Sequence, residues 1–178
     1  MEVRVSGPSI CLTYLVVALS MTVGSIAHSF AQAAEKTVQD SSVLSGKWTY
    51  RSFHNNPALV TGDPKTALSL FFAEAVFSFD VKQDNSLTGT IDWSGGGLDL
   101  QGTVQPPTSA APLAVQIVGR GRAGTQPEHW EYDYSGYLAP SWSNGVGQVP
   151  ALVGSVLRAK PHDGAPAGYV ASFVAVKQ

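Results

Sequence analysis

Residues 129–138 read HWEYDYSGYL, and the strict alternation within this stretch decides the fold class. The rings Trp130, Tyr132 and Tyr134 fall on one face of an extended chain, while acidic side chains stand between them. Because successive side chains of a β-strand point to opposite faces of the sheet, this period of two predicts a half-buried strand. Large aromatic side chains bury about 150–250 Å² each, so the ring face is expected to point inward.

Seven further stretches show the same alternation, and turn-forming residues separate them. Together the eight predicted strands cover residues 46–54, 75–82, 87–93, 98–104, 113–122, 129–138, 152–159 and 169–177. The segment 66–74 is the best helical candidate. It equally suits the start of a strand or a lid over one end of a barrel.

Eight consecutive strands with mostly short connections predict an all-β fold. The favoured architecture is a closed or nearly closed antiparallel up-and-down barrel of about eight strands, because closure removes unpaired sheet edges. The interior of such a barrel is wide enough for side chains or for one small ligand. A two-sheet β-sandwich is the alternative.

Residues 1–33 have the pattern of a secretory signal peptide. An apolar run follows Arg4, and Ala31-Gln32-Ala33 offers small residues where a signal peptidase cleaves. The apolar run is shorter than the ~20 residues of a membrane helix, so we expect no stable membrane span after signal removal. The prediction is therefore a secreted or periplasmic protein, with a flexible lead-in at 34–44 and a single β-barrel domain at 45–178.

Composition excludes several classes of protein. The chain has 178 residues, a net charge of −2, 44% hydrophobic and 13% charged residues. It is too apolar to be intrinsically disordered, and without a basic excess it is not expected to bind nucleic acid. The one cysteine cannot form a disulfide framework within the chain.

The opening Ser45-Gly46-Lys47-Trp48 resembles the Gly-x-Trp start of the calycin barrels, which include lipocalins, fatty-acid-binding proteins and avidins. The strand Leu87-Thr88-Gly89-Thr90 is similar to an avidin strand. The resemblance implies that Trp48 closes the barrel floor and packs against a basic residue, either Lys177 or Arg158. Tyr50 stands where avidins have a biotin-binding asparagine, so the resemblance implies a ligand-holding interior but not biotin.

Aromatic and polar side chains on the expected inner face are the candidate ligand-binding residues. With one aromatic loop residue they are Trp48, Tyr50, Ser52, His54, Trp93, Trp130, Tyr132, Tyr134 and Trp142. They predict a cavity for a small apolar or aromatic ligand. The alternative is a core that the rings fill completely, since small barrels are often filled by side chains.

Two alternative functions remain open. The loop 137–150 exposes Trp142 to a protein or glycan partner, or Trp142 folds back to plug one barrel end. An isomerase or cyclase would use interior polar groups such as Tyr50, His54 or Glu74. The ligand-binding barrel is favoured, and no catalytic residue is assigned.

Histidine and acidic residues outside the aromatic face are expected to lie in water. The row His129, Glu131 and Asp133 offers metal-ligand types but fits a solvated outer face, so no metal or cofactor is expected. His162, in the loop Pro161-His162-Asp163-Gly164, is expected to be exposed.

Overall fold

A computed structural model describes residues 40–55 and 63–178, so the predicted signal segment 1–33 lies outside the described residues. The strands are β1 (Gly46–His54), β2 (Phe71–Val81), β3 (Ser86–Trp93), β4 (Gly96–Gln105), β5 (Ala114–Gly121), β6 (Glu131–Leu138), β7 (Ala151–Arg158) and β8 (Val170–Lys177). Ser41–Leu44 forms a 3-10 turn and Pro64–Ser69 a short helix, α1. Within these described ranges, no helix is long and apolar enough to cross a lipid bilayer.

Each strand pairs antiparallel with the next along the chain, and β8 pairs with β1 to close the barrel. The predicted up-and-down barrel of eight strands is therefore confirmed. The β-sandwich alternative is wrong, because one continuous ladder joins all eight strands. This architecture is consistent with the calycin-like resemblance. We call the end where β1 begins the lower end and the end where β1 finishes the upper end.

The segment 66–74 divides between α1 and the beginning of β2. Ser52 pairs with Ala73 and Phe53 pairs with Phe71, so Phe72 is an extra residue in a β-bulge. A bulge redirects a side chain out of the regular alternation. Here it leaves the Phe72 ring against inward-facing rings of the upper end, with Tyr132 at 6.4 Å between centroids.

Trp48 closes the lower end of the barrel. Its side chain is fully buried, and its indole Nε1 donates a hydrogen bond to the Leu44 carbonyl at 2.8 Å. Lys177 Nζ lies 5.8 Å from the centroid of the Trp48 ring and donates to the Val43 carbonyl at 2.6 Å. Lys177 is thus the basic partner that the resemblance implies, whereas Arg158 lies at the upper end.

A cluster of four rings fills the middle of the barrel. Tyr50, Phe77, Tyr134 and Phe173 have centroids 4.8–6.3 Å apart, mostly in edge-to-face arrangements. Such spacings are typical of packed aromatic pairs. The lower and middle parts of the interior are therefore a solid core on which the upper end is built.

Candidate functional site

A cavity of about 430 Å³ lies above this ring cluster at the upper end. Its volume falls in the range of ligand pockets, roughly 300–1,000 Å³. Five of the predicted ligand-binding residues line it: Tyr50, Trp93, Trp130, Tyr132 and Tyr134. Side chains thus fill the lower part of the barrel, as the filled-core alternative predicts. They leave a cavity in the upper part, as the alternative of an open interior predicts.

The other predicted site residues lie elsewhere. Trp48 is part of the floor, and Ser52 is fully buried, with its hydroxyl 3.4 Å from the Ala73 carbonyl. His54 is at the upper end beside the cavity, where its Nδ1 lies 2.5 Å from the Tyr169 hydroxyl. Trp142 is 75% exposed in the β6–β7 connection at the lower end, so its interpretation as a plug is wrong.

Glu74 lines the edge of the cavity but is not enclosed by it. Its carboxylate forms an ion pair with Arg51, and both side chains are more than half exposed. The alternation along β2 explains this placement, because Ala73 and Ala75 occupy the inward positions on either side. Of the three groups named for an isomerase or cyclase, Glu74 is thus the one whose carboxylate is already held in an exposed ion pair.

Three stacked rings form one wall of the cavity. The Trp93 and Trp130 rings are 6.0 Å apart at 15°, and the Trp130 and His162 rings are 3.9 Å apart at 16°. The Trp130 backbone is held by Gly121 N, which donates to its carbonyl at 3.0 Å. A Cβ at Gly121 would collide with the Pro127 carbonyl, so the glycine lets the β5–β6 connection fold back here.

Phe72 and Tyr169 stand together in the opposite part of the upper end. Their rings stack at 5.8 Å and 26°, and the His54 ring contacts both of them edge-on. Phe72 itself lines the cavity. Phe72 thus adds a second aromatic surface to the lining of the cavity, besides the wall around Trp130.

The His162 side chain is largely buried, contrary to the expectation from its loop. Its side chain is only 8% exposed. The backbones of His162 and Ala165 exchange two hydrogen bonds around a tight turn, in which Asp163 and Gly164 adopt φ of 50° and 75°. This left-handed turn reverses the chain and lets the imidazole stack on Trp130.

Hydrogen bonds connect three side chains at the rim of the cavity. Arg158 Nε makes a long contact of 3.5 Å to the Tyr132 hydroxyl oxygen, which lies 2.8 Å from His162 Nε2. Because a hydroxyl oxygen can accept two hydrogen bonds as well as donate one, the Tyr132 hydroxyl either donates to His162 Nε2 or accepts from it, according to the imidazole tautomer. His162 Nδ1 is buried without a hydrogen-bond partner among the described residues and lies 3.6 Å from an Asp163 carboxylate oxygen.

Burial lowers the pKa of His162 below its ordinary 6.5, and the nearby positive charge of Arg158 lowers it further, while Asp163 opposes both effects. The imidazole is therefore predominantly neutral at pH 7. The rim of the cavity then offers a neutral imidazole, a phenol hydroxyl and one guanidinium.

Acid is expected to destabilise the protein through His162. Since its folded pKa is below 6.5, the unfolded chain binds more protons in this window, and stability falls as the pH drops below 6.5. Thermal unfolding, measured at a series of pH values from about 7.5 to about 5, tests this loss of stability. His162→Gln keeps a polar group without the titration, so its Tm should fall less steeply than that of the wild type. The exposed His129→Gln serves as the control, and equal slopes for all three proteins would contradict the assignment.

The polar residues on and just before β6 lie on the outer side of the barrel. Glu131 forms ion pairs with Arg120 at 3.1 Å and Lys160 at 2.9 Å, and His129 is exposed. In the part of the chain that the structure describes, no group of three or more histidine, cysteine or acidic residues is placed to hold a metal ion.

Phe72, Arg158 and His162 line the cavity but are missing from the predicted site residues. The inward position of Arg158 could have been predicted from the sequence, because Arg158 continues the row of inward-facing residues Leu152 and Val156 on β7. The sequence pattern could not predict the positions of Phe72 and His162, since a β-bulge positions Phe72 and a tight turn positions His162.

Comparison of the chain with protein-family models, with curated proteins and with solved structures finds no match.

Proposed function

We propose that this protein binds a small, flat and largely apolar molecule in the upper cavity, and that it does so outside the cytoplasm. The observation that carries the first part is the cavity of about 430 Å³ between aromatic walls. The signal-like segment 1–33 supports the second part.

Contacts within the protein hold the aromatic wall of the cavity in place. Trp130 is stacked between Trp93 and His162, and backbone hydrogen bonds to Gly121 and Pro127 fix its position. A site that is already ordered loses little conformational entropy on binding, which leaves more of the contact energy for affinity. This preorganisation supports binding of a flat molecule between the walls.

The neutral fluorescent probe N-phenyl-1-naphthylamine tests the proposal with the full chain. We expect saturable binding of one probe per protein, with an increase in probe emission. Trp130→Ala removes the middle ring of the wall, and truncating such an anchor costs at least about 2 kcal/mol, or roughly a 30-fold higher Kd. Trp142→Ala, a matched substitution at the opposite end, should leave Kd unchanged.

The reverse pattern would overturn the proposal. If Trp142→Ala weakens binding and Trp130→Ala does not, the site is the β6–β7 connection, and the interaction-module alternative is favoured instead. Near-UV circular dichroism of both variants establishes that any loss of binding occurs in a folded barrel.

A further inference from the structure

Arginines on the outer surface of the barrel all have acidic partners. The ion pairs are Arg51 with Glu74, Arg120 with Glu131, and Arg122 with both Asp92 and Asp99. Arg158 is the remaining arginine among residues 40–55 and 63–178, and within those ranges it forms no ion pair with a carboxylate. It is also the one of the four that lies on the inner face and lines the cavity.

Neutral groups hold the Arg158 guanidinium in place. Its Nη1 donates to the Pro166 carbonyl at 3.2 Å, its Nε lies 3.5 Å from the Tyr132 hydroxyl, and its Cζ lies 5.6 Å from the centroid of the Tyr169 ring. These contacts orient the planar group but leave its charge unneutralised. A guanidinium that is partly withdrawn from water favours an anion at its free edge.

Two carboxylates, those of Asp163 and Glu74, also belong to residues that line the cavity, and each has another partner. The Asp163 side chain is 59% exposed, with one oxygen 3.6 Å from His162 Nδ1 and 3.3 Å from Gln126 Nε2. The Glu74 carboxylate binds Arg51 on the outer face. The lowered pKa of His162 keeps that imidazole neutral, so it does not compete as a cation.

We propose that the ligand of the upper cavity is an aromatic or similarly flat apolar carboxylic acid, whose carboxylate binds Arg158. This inference rests on the proposed function and adds that the ligand carries a negative charge. The ring system lies between the wall of Trp130 and the ring of Phe72, and the carboxylate accepts hydrogen bonds from the guanidinium. The two-donor edge of a guanidinium matches the two oxygens of a carboxylate.

Two naphthalenes that differ only in charge test the inference. Naphthalene-2-carboxylate and naphthalene-2-carboxamide are titrated into the full chain by calorimetry near neutral pH. We expect the carboxylate to bind at least about tenfold more tightly, as a charge-assisted pair contributes over a neutral hydrogen bond. Arg158→Gln should bring the affinities of the carboxylate and the carboxamide close to each other, and Arg158→Lys should keep part of the preference. Arg120→Gln, on the outer face, is the matched control and should behave as the wild type.

Each other outcome overturns the inference in a recognisable way. Equal affinities for the two naphthalenes in the wild type show that the cavity does not select an anion, while binding of N-phenyl-1-naphthylamine would still uphold the proposed function. A preference that survives in Arg158→Gln places the anion elsewhere. If neither naphthalene binds although the neutral amine does, this inference is wrong while the proposed function still holds. If none of the three binds, the proposed function fails with it.

Discussion

Replacing Trp48 with alanine is expected to lower the free energy of unfolding by about 3–5 kcal/mol. The indole is fully buried, donates to the Leu44 carbonyl and lies under Lys177. Its removal leaves a cavity at the point where the 3-10 turn meets the barrel, and it leaves the Leu44 carbonyl without this donor. Equilibrium unfolding in guanidinium chloride, followed by far-UV circular dichroism, measures the loss.

Trp142→Ala supplies the comparison, because it deletes the same side chain from a site that is 75% exposed. Its free energy of unfolding should stay within about 0.5 kcal/mol of the wild type. Similar losses in the two variants would show that Trp48 does not form the floor of the barrel.

Ala73→Trp is expected to weaken binding of N-phenyl-1-naphthylamine by roughly 5- to 150-fold. Ala73 lines the cavity and pairs with the buried Ser52 across β1 and β2, so a larger side chain there projects into the space that the probe needs. Overpacking of an occupied interior costs about 1–3 kcal/mol, which corresponds to this range of Kd. Fluorescence titration measures the change.

Val174→Trp adds an indole to the outside of the barrel, where Val174 is 40% exposed, and is expected to leave the affinity unchanged. This pair of variants separates a change in the cavity from a general effect of added hydrophobic surface. Wild-type affinity in Ala73→Trp would mean that the probe binds outside the cavity.

The strands could be predicted because a closed barrel has a buried inner face and a solvent-exposed outer face along its whole length. Each strand therefore repeats the same alternation, as β6 does with Tyr132 and Tyr134 buried and Ser135 exposed. Short connections between such strands favour pairing of neighbours, and pairing of the last strand with the first then follows from the cost of open edges. The position of Trp48 against Lys177 was implied by the Gly-x-Trp resemblance.

The rim of the cavity was harder to predict, because alternation stops where the strands end. Phe71 and Phe72 have the same side chain, and only the bulge decides that Phe71 faces outward and Phe72 inward. His162 lies in a polar loop that is typical of exposed turns, yet the turn directs its ring onto Trp130. Such placements depend on contacts between segments far apart in the chain, which a local pattern does not contain.

The solid lower half of the barrel also has a kinetic consequence. Since the floor at Trp48 and the rings around Tyr50 block the axis, a molecule held above them enters and leaves past the upper rim. The β7–β8 connection carries His162 at that rim and turns through Gly164 and Gly168, at φ of 75° and 88°. For the proposed ligand we therefore expect residence time to depend on how readily this connection moves aside, and equilibrium occupancy to depend on the rings beneath it.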